Sequence, residues 1–87
     1  MSNPFAIVNK INMSIDNSSL VSDIEWERVG SGNNPKGNLT IIFKHGGERY
    51  EYCNVTANVL NEMLSSESIG KYFHLNIKDK YETYKEI

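Results

Sequence analysis

The chain is poor in cysteine, in proline and in long apolar runs, and each scarcity excludes something. Its single cysteine, Cys53, leaves no partner for an intramolecular disulfide, no paired zinc ligands and no CxxC redox motif. No apolar run approaches the roughly 20 residues of a membrane-crossing helix. No basic stretch followed by an apolar run opens the chain, so no secretory leader is expected and a reducing, cytoplasmic setting is. Excess positive charge is also lacking. The formal net charge is −2, which argues against a broad polybasic surface for nucleic acid or membrane, though it leaves room for a local basic patch. What remains is ordinary for one small globular domain: 87 residues, 39% hydrophobic and 23% charged.

The most strongly patterned stretch runs from Asn38 to Asn54, where two β-like segments flank Gly46-Gly47. A glycine pair can take positive φ at both central positions of a two-residue hairpin turn. That turn would set Phe43 against Tyr50, Ile41 against Tyr52 and Leu39 against Asn54 on one apolar, aromatic face. Lys44 with Arg49, Ile42 with Glu51 and Thr40 with Cys53 would share the other.

The segments around the hairpin carry simpler signals. Residues 5–15 alternate, with Phe5, Ile7, Ile11, Met13 and Ile15 on one side, which predicts a strand. Asp16-Asn17-Ser18-Ser19 is a turn by composition. Residues 20–29 alternate again, with Leu20, Ser22, Ile24 and Trp26 together, which predicts a second strand with Trp26 as a core aromatic rather than a stacking platform. Residues 30–38, rich in Gly, Asn and Pro, read as a mobile connection and lack the spacing of a phosphate-binding loop. Thr56 is a good N-cap for a helix whose apolar stripe is Val59, Leu60, Met63 and Leu64, with Val55 and Leu60 as a hydrophobic staple. Ser68 can cap a second short helix, in which Gly70 is costly unless it permits a close backbone approach. Residues 77–87 read as an extended tail over the sheet or as a partly ordered end.

The Tyr50-Glu51-Tyr52 element follows a Gly-Gly turn. The Val55–Leu64 helix comes next, then Ser68-Ile69-Gly70-Lys71-Tyr72-Phe73, Asn76-Ile77-Lys78, Lys80-Tyr81 and Tyr84-Lys85. In this order and spacing the chain resembles the KTSC domain family, small domains found alone in bacterial and phage proteins and at the C-terminus of some lysyl-tRNA synthetases. The resemblance covers roughly residues 13–87. Residues 1–12 stand as an N-terminal extension or first strand, and the 30–38 loop is longer than the family's usual turn. The resemblance implies a small α+β domain and, by its association with a synthetase, an RNA-binding role; the partner expected for this chain is RNA or single-stranded DNA.

Chemistry in the chain points to binding rather than catalysis. Cys53 alternates with Tyr52 and should face away from the aromatics, and neither His45 nor His74 is placed to activate it. No carboxylates are paired at a spacing for acid–base work, and two histidines with scattered acids make no metal site. No enzymatic activity and no cofactor are expected. The candidate nucleic-acid residues interleave positive and aromatic groups: Lys71, Tyr72, His74, Lys78, Lys80, Tyr81 and Lys85, with Lys44 and Arg49 as a smaller pair on the outer face of the hairpin. Residues 70–87 carry four lysines against three acids, net +1, while residues 1–69 carry five positive and eight negative groups, net −3.

The chain is thus read as a single α+β domain, 13–87 with the 1–12 extension: a three- or four-stranded antiparallel meander, then two short helices and an extended C-terminal tail. The leading function is a non-catalytic binding domain for nucleic acid. The alternatives are a phage-encoded inhibitor that binds and blocks a host protein, with the acidic strand Asp23, Glu25 and Glu27 as a surface for a basic partner, or a binder that sequesters a small nucleotide. No membrane partner is expected, and both monomer and homodimer remain open.

Overall fold

The computed structural model describes Phe5 and residues 8–86. Five antiparallel strands form one sheet in sequential order: β1 (Lys10–Ser14), β2 (Val21–Arg28), β3 (Lys36–Phe43), β4 (Arg49–Thr56) and β5 (Thr83–Glu86). Between β4 and β5 the chain passes through α1 (Ala57–Ser65), α2 (Ile69–Tyr72) and a π-helical segment, Phe73–Ile77. The α+β class agrees with the sequence reading, but the sheet has five strands rather than three or four. The fifth is the tail, whose Thr83–Glu86 pairs with Tyr52–Arg49 of β4.

One face of the sheet and the helices share the core. Ile24 and Trp26 of β2, Leu39 and Ile41 of β3, Tyr52 and Val55 of β4, Leu60 and Met63 of α1, Ile69 of α2, and Phe73 and Ile77 of the π segment are all buried. Each fully buried aliphatic or aromatic side chain contributes roughly 1.5–3 kcal/mol. Trp26 is a core residue: its ring is fully buried and its Nε1 donates to the Val55 carbonyl at 3.0 Å.

Both helix starts follow the local chemistry. Thr56 Oγ1 accepts from Val59 N at 3.3 Å, and Ser68 Oγ accepts from Lys71 N at 3.2 Å. Val55 and Leu60 are both fully buried, as a staple requires.

Four local expectations are corrected. The β3–β4 connection is a four-residue turn, Lys44 to Gly47, rather than a two-residue one. Phe43 N donates to Glu48 O at 2.9 Å, and the pairs are Ile41 with Tyr50, Leu39 with Tyr52 and Ile42 with Arg49. The register is thus two residues away from that of a turn centred on Gly46-Gly47, and Lys44 and Arg49 are not partners. Asn54 takes a φ of 62° in a ladder irregularity, so Val55 rather than Asn54 packs inward.

In β2 a bulge between Val21 and Asp23 brings Val21 to the side of Ile24 and Trp26, so Val21, and not Ser22, is buried. The first strand is shorter than the alternation over 5–15 suggests. β1 begins at Lys10, Phe5 sits in a turn, and Ile7 lies outside the described residues; Ile15 is buried but Met13 is 40% exposed.

Finally, the Gly- and Asn-rich loop is docked. Pro35 is fully buried, its carbonyl accepts from Ala57 N at 2.9 Å, and Asn34 Oδ1 accepts from Asn58 N at 2.8 Å. Together with Thr56, the loop satisfies the first three backbone donors of α1. No helix among the described residues is long and apolar enough to cross a membrane.

Candidate functional site

The helices do not cover the inner face of the sheet evenly. At the hairpin end, β3 and β4 extend past them and leave a groove of about 380 Å³. Its lining is mainly aromatic: Phe43 from β3, Tyr50 and Tyr52 from β4, and Phe73 from the π segment. These rings meet edge to face, Phe43 with Tyr50 at 5.6 Å and with Phe73 at 5.5 Å, and Tyr52 with Phe73 at 5.5 Å. His74 and Lys78 stand at one rim, Glu48 and Asp79 among the charged groups around it. The π segment places them: its wider turn presents His74 beside Phe73, with ring centroids 5.5 Å apart.

Two features of the groove are chemically distinctive. Tyr52 is only 4% exposed, yet its hydroxyl joins no hydrogen bond among the described residues. No buried side-chain nitrogen or oxygen there lacks a partner, so the hydroxyl is the accessible end of an otherwise buried ring. Burial, then the neighbouring Tyr50 and Asp79, push its pKa up to about 12, which keeps it a neutral donor. Asp79 has a φ of 64°, the left-handed region that few non-glycine residues occupy. The turn is held on either side of it, by Lys78 N donating to Phe73 O at 2.9 Å and Lys80 N to Ile77 O at 3.1 Å.

The nine candidate residues from the sequence divide into several groups. His74 and Lys78 line the groove. Lys71 and Tyr72 line a separate hollow with Ser66, Glu67, Ser68, Leu75 and Asn76. Lys71, Lys78 and Lys80 are exposed and make no ion pair among the described residues. The others are engaged. Lys85 pairs with Glu48 at 2.7 Å and lies 5.9 Å from the centre of the Tyr50 ring. Lys44 Nζ donates to the Ser18 carbonyl at 2.8 Å. Arg49 bridges Glu25 and Glu86, both at 2.9 Å. Tyr72 donates to Glu62 at 3.0 Å; burial and that bond push its pKa up to about 12. Tyr81 is half-buried against the core.

Sequence reasoning did not assemble Phe43, Phe73 and Asp79 into a site. The one available signal was the Tyr50/Tyr52 spacing, which puts two hydroxyls on one face of a strand.

The opposite face of the sheet has a different character. Along β1, β2, β4 and β5 it carries Asp23, Glu25, Glu27, Glu51 and Glu86 against Lys10 and Arg49, as the strand pairing places them. Cys53 belongs to this face, and burial with Glu51 and Glu82 nearby pushes its thiol up and away from thiolate. His74, on the groove side, is across the sheet from it. No group of three or more His, Cys, Asp or Glu among the described residues is arranged to hold a metal ion.

Comparison with known proteins identifies a family and a structural neighbour. The family model described as KTSC domain matches residues 17–81, a span that takes in every groove residue but Thr83. The crystal structure of a KTSC domain protein from Yersinia pestis is similar with a TM-score of 0.74 at 23% identity, over 90% of this chain and 99% of that one. No curated protein matches the chain.

Proposed function

We infer the function of this chain, which belongs to the KTSC domain family, from its groove: it is a non-catalytic domain that binds single-stranded nucleic acid, with an unpaired base lying on the aromatic side of the groove. One observation carries the reading. The open aromatic groove has an unpaired lysine, Lys78, at its rim, while the opposite sheet face is acidic. Of the rings that line the groove, Phe43 and Tyr50 are partly exposed while Tyr52 and Phe73 are buried. Aromatic faces stack bases without requiring a duplex, and single-strand binders combine such faces with cations that track the backbone. Lys78, Lys80 and Lys71 are the free cations nearest in sequence to the groove-forming π segment, and each is available to a phosphate. Catalysis finds no support: the only thiol is kept protonated and is separated from His74 by the sheet.

The test is fluorescence anisotropy with labelled single-stranded RNA and DNA over a series of salt concentrations. With three phosphate contacts the expected slope of log affinity against log salt is about −2 for single strands. Lys78→Ala should make it shallower by about 0.7, and Phe43→Leu, which removes a partly exposed ring of the groove, should weaken binding at every salt concentration. Absence of binding at low salt would overturn the reading. A second reading, a domain that docks on and blocks a basic protein, rests on the acidic outer face; a Glu27→Lys/Glu51→Lys variant that loses a partner and keeps oligonucleotide affinity would favour it.

A further inference from the structure

The groove holds a carboxylate that a phosphate site has no use for. Asp79 lines it, flanked in sequence by Lys78 and Lys80, and forms no ion pair among the described residues. A bare carboxylate repels the backbone of a nucleic acid. It becomes favourable only where it meets hydrogen-bond donors, and in a nucleotide the base edge supplies them. The same groove is lined by Tyr52, whose hydroxyl is a neutral group at the end of a buried ring with no hydrogen-bond partner among the described residues. The groove therefore offers an O–H donor and a two-oxygen acceptor beside the partly exposed Phe43 and Tyr50 rings.

The four bases differ in which of them fits that pair. Guanine presents an acceptor, O6, followed by two adjacent donors, N1–H and the N2 amine. The two donors match both oxygens of one carboxylate, and O6 matches the hydroxyl. Adenine and cytosine each present one amine donor beside an unprotonated ring nitrogen, which would face a carboxylate oxygen acceptor to acceptor. Uracil and thymine place their one N–H between two carbonyls, both of which a carboxylate repels. We propose that the groove is a guanine pocket, in which Asp79 accepts from N1–H and the N2 amine, Tyr52 donates to O6, and the base lies against the Phe43 and Tyr50 rings. This rests on the nucleic-acid reading above and deepens it.

The experiment uses the full chain and a short, labelled uridine-rich RNA with one central position varied among G, A, C, U and inosine. Inosine keeps N1–H and O6 and lacks only the N2 amine. The expected order puts G about 10-fold or more tighter than A, C or U, as one bidentate base contact provides, with inosine between. Asp79→Asn keeps a side chain that tolerates positive φ, so the fold survives, and it presents an amide where guanine needs two acceptors. It should abolish the preference for G and leave, or slightly raise, affinity for the U-only strand. Tyr52→Phe keeps the buried ring and should lower the affinity for G alone by several-fold. Equal binding of all five strands, or a G preference that survives Asp79→Asn, would overturn the guanine assignment and leave the nucleic-acid reading standing. Failure to bind any strand at low salt would overturn both.

Discussion

A methyl group at Gly37 should be among the most damaging single substitutions in the protein. Gly37 sits in β3 opposite Val55 and Arg28, and a Cβ there would lie 2.4 Å from Trp26 Cε2, 2.5 Å from Nε1 and 2.6 Å from Cζ2. Ordinary carbon contacts are about 3.5–4.0 Å, so ring or strand must move by roughly 1 Å. The ring is fully buried and its Nε1 is bonded to the Val55 carbonyl, on the strand that pairs with Gly37. Moving the ring leaves a buried donor and acceptor unpaired, at about 1–3 kcal/mol; leaving it in place costs about 1–3 kcal/mol in overpacking. By either route Gly37→Ala should therefore destabilise by about 1–3 kcal/mol, or on the order of 5–25 °C in Tm for a domain of this size. A chain of 87 residues has roughly 4–13 kcal/mol in total, so the substitution removes a large share of the margin. Urea denaturation followed by the fluorescence of Trp26, the only tryptophan, and by circular dichroism would measure it. Trp26→Phe removes the indole atoms that the methyl meets, so Gly37→Ala should cost less than about 1 kcal/mol in that background. A loss below about 0.5 kcal/mol for Gly37→Ala alone, or an equal cost in both backgrounds, would refute the reasoning.

Gly70 provides the contrast. Its nearest neighbour would be Leu20 Cβ at 3.4 Å, an ordinary contact, and it lies inside α2 without positive φ, so Gly70→Ala should stabilise by about 0.5–1 kcal/mol in the same denaturation assay. Asn34→Ala removes the acceptor of Asn58 N at the start of α1. It should cost about 1 kcal/mol, as the loss of a cap does, and raise amide exchange in the first turn of that helix. Alkali should unfold the protein through its buried phenols. Tyr52 ionises near 10 in the unfolded chain and about 12 when folded, so its contribution is complete below pH 10 and is lost as pH rises toward 12. Phenolate absorbance should show a late-titrating tyrosine, and Tyr52→Phe should flatten the fall in stability over that window.

The parts of this fold written in the sequence are those that depend on neighbours along the chain. Thr56 and Ser68 announce helix starts because a hydroxyl before an apolar stripe can bond the free backbone donors wherever the rest of the protein lies. Alternation assigns faces for the same reason, and it placed Ile24, Trp26, Leu39, Ile41 and Tyr52 correctly. It could not fix the β3–β4 register, because a slip of two residues returns every side chain to its own face; only the ladder itself distinguishes Ile41 against Tyr50 from Ile41 against Tyr52. The bulge at Val21 and the positive φ of Asn54 break the period, and no composition signal marks either. β5 was illegible as a strand because all four of its residues are exposed; it is held by the ladder of β4 rather than by an apolar face. The groove was illegible for a related reason. Phe43, Tyr52, Phe73 and Asp79 come from three elements, and only the passage of the helices back across the sheet brings them together.

On the proposed nucleic-acid reading, the distribution of charge decides where the binding energy has to come from. On the outer face Arg49 is held between Glu25 and Glu86, and the remaining acids outnumber Lys10, so a phosphate backbone gains nothing there. Outside the sheet the unpaired lysines considered are three, and a slope of about −2 leaves only a modest electrostatic share. Stacking supplies roughly 1–3 kcal/mol per base, and a groove of about 380 Å³ has room for very few bases. A domain built this way cannot be a strong, indiscriminate binder of single strands. Useful affinity requires contacts at the edge of the stacked base, where Asp79 and the Tyr52 hydroxyl are placed, and a domain that depends on such contacts must discriminate among bases.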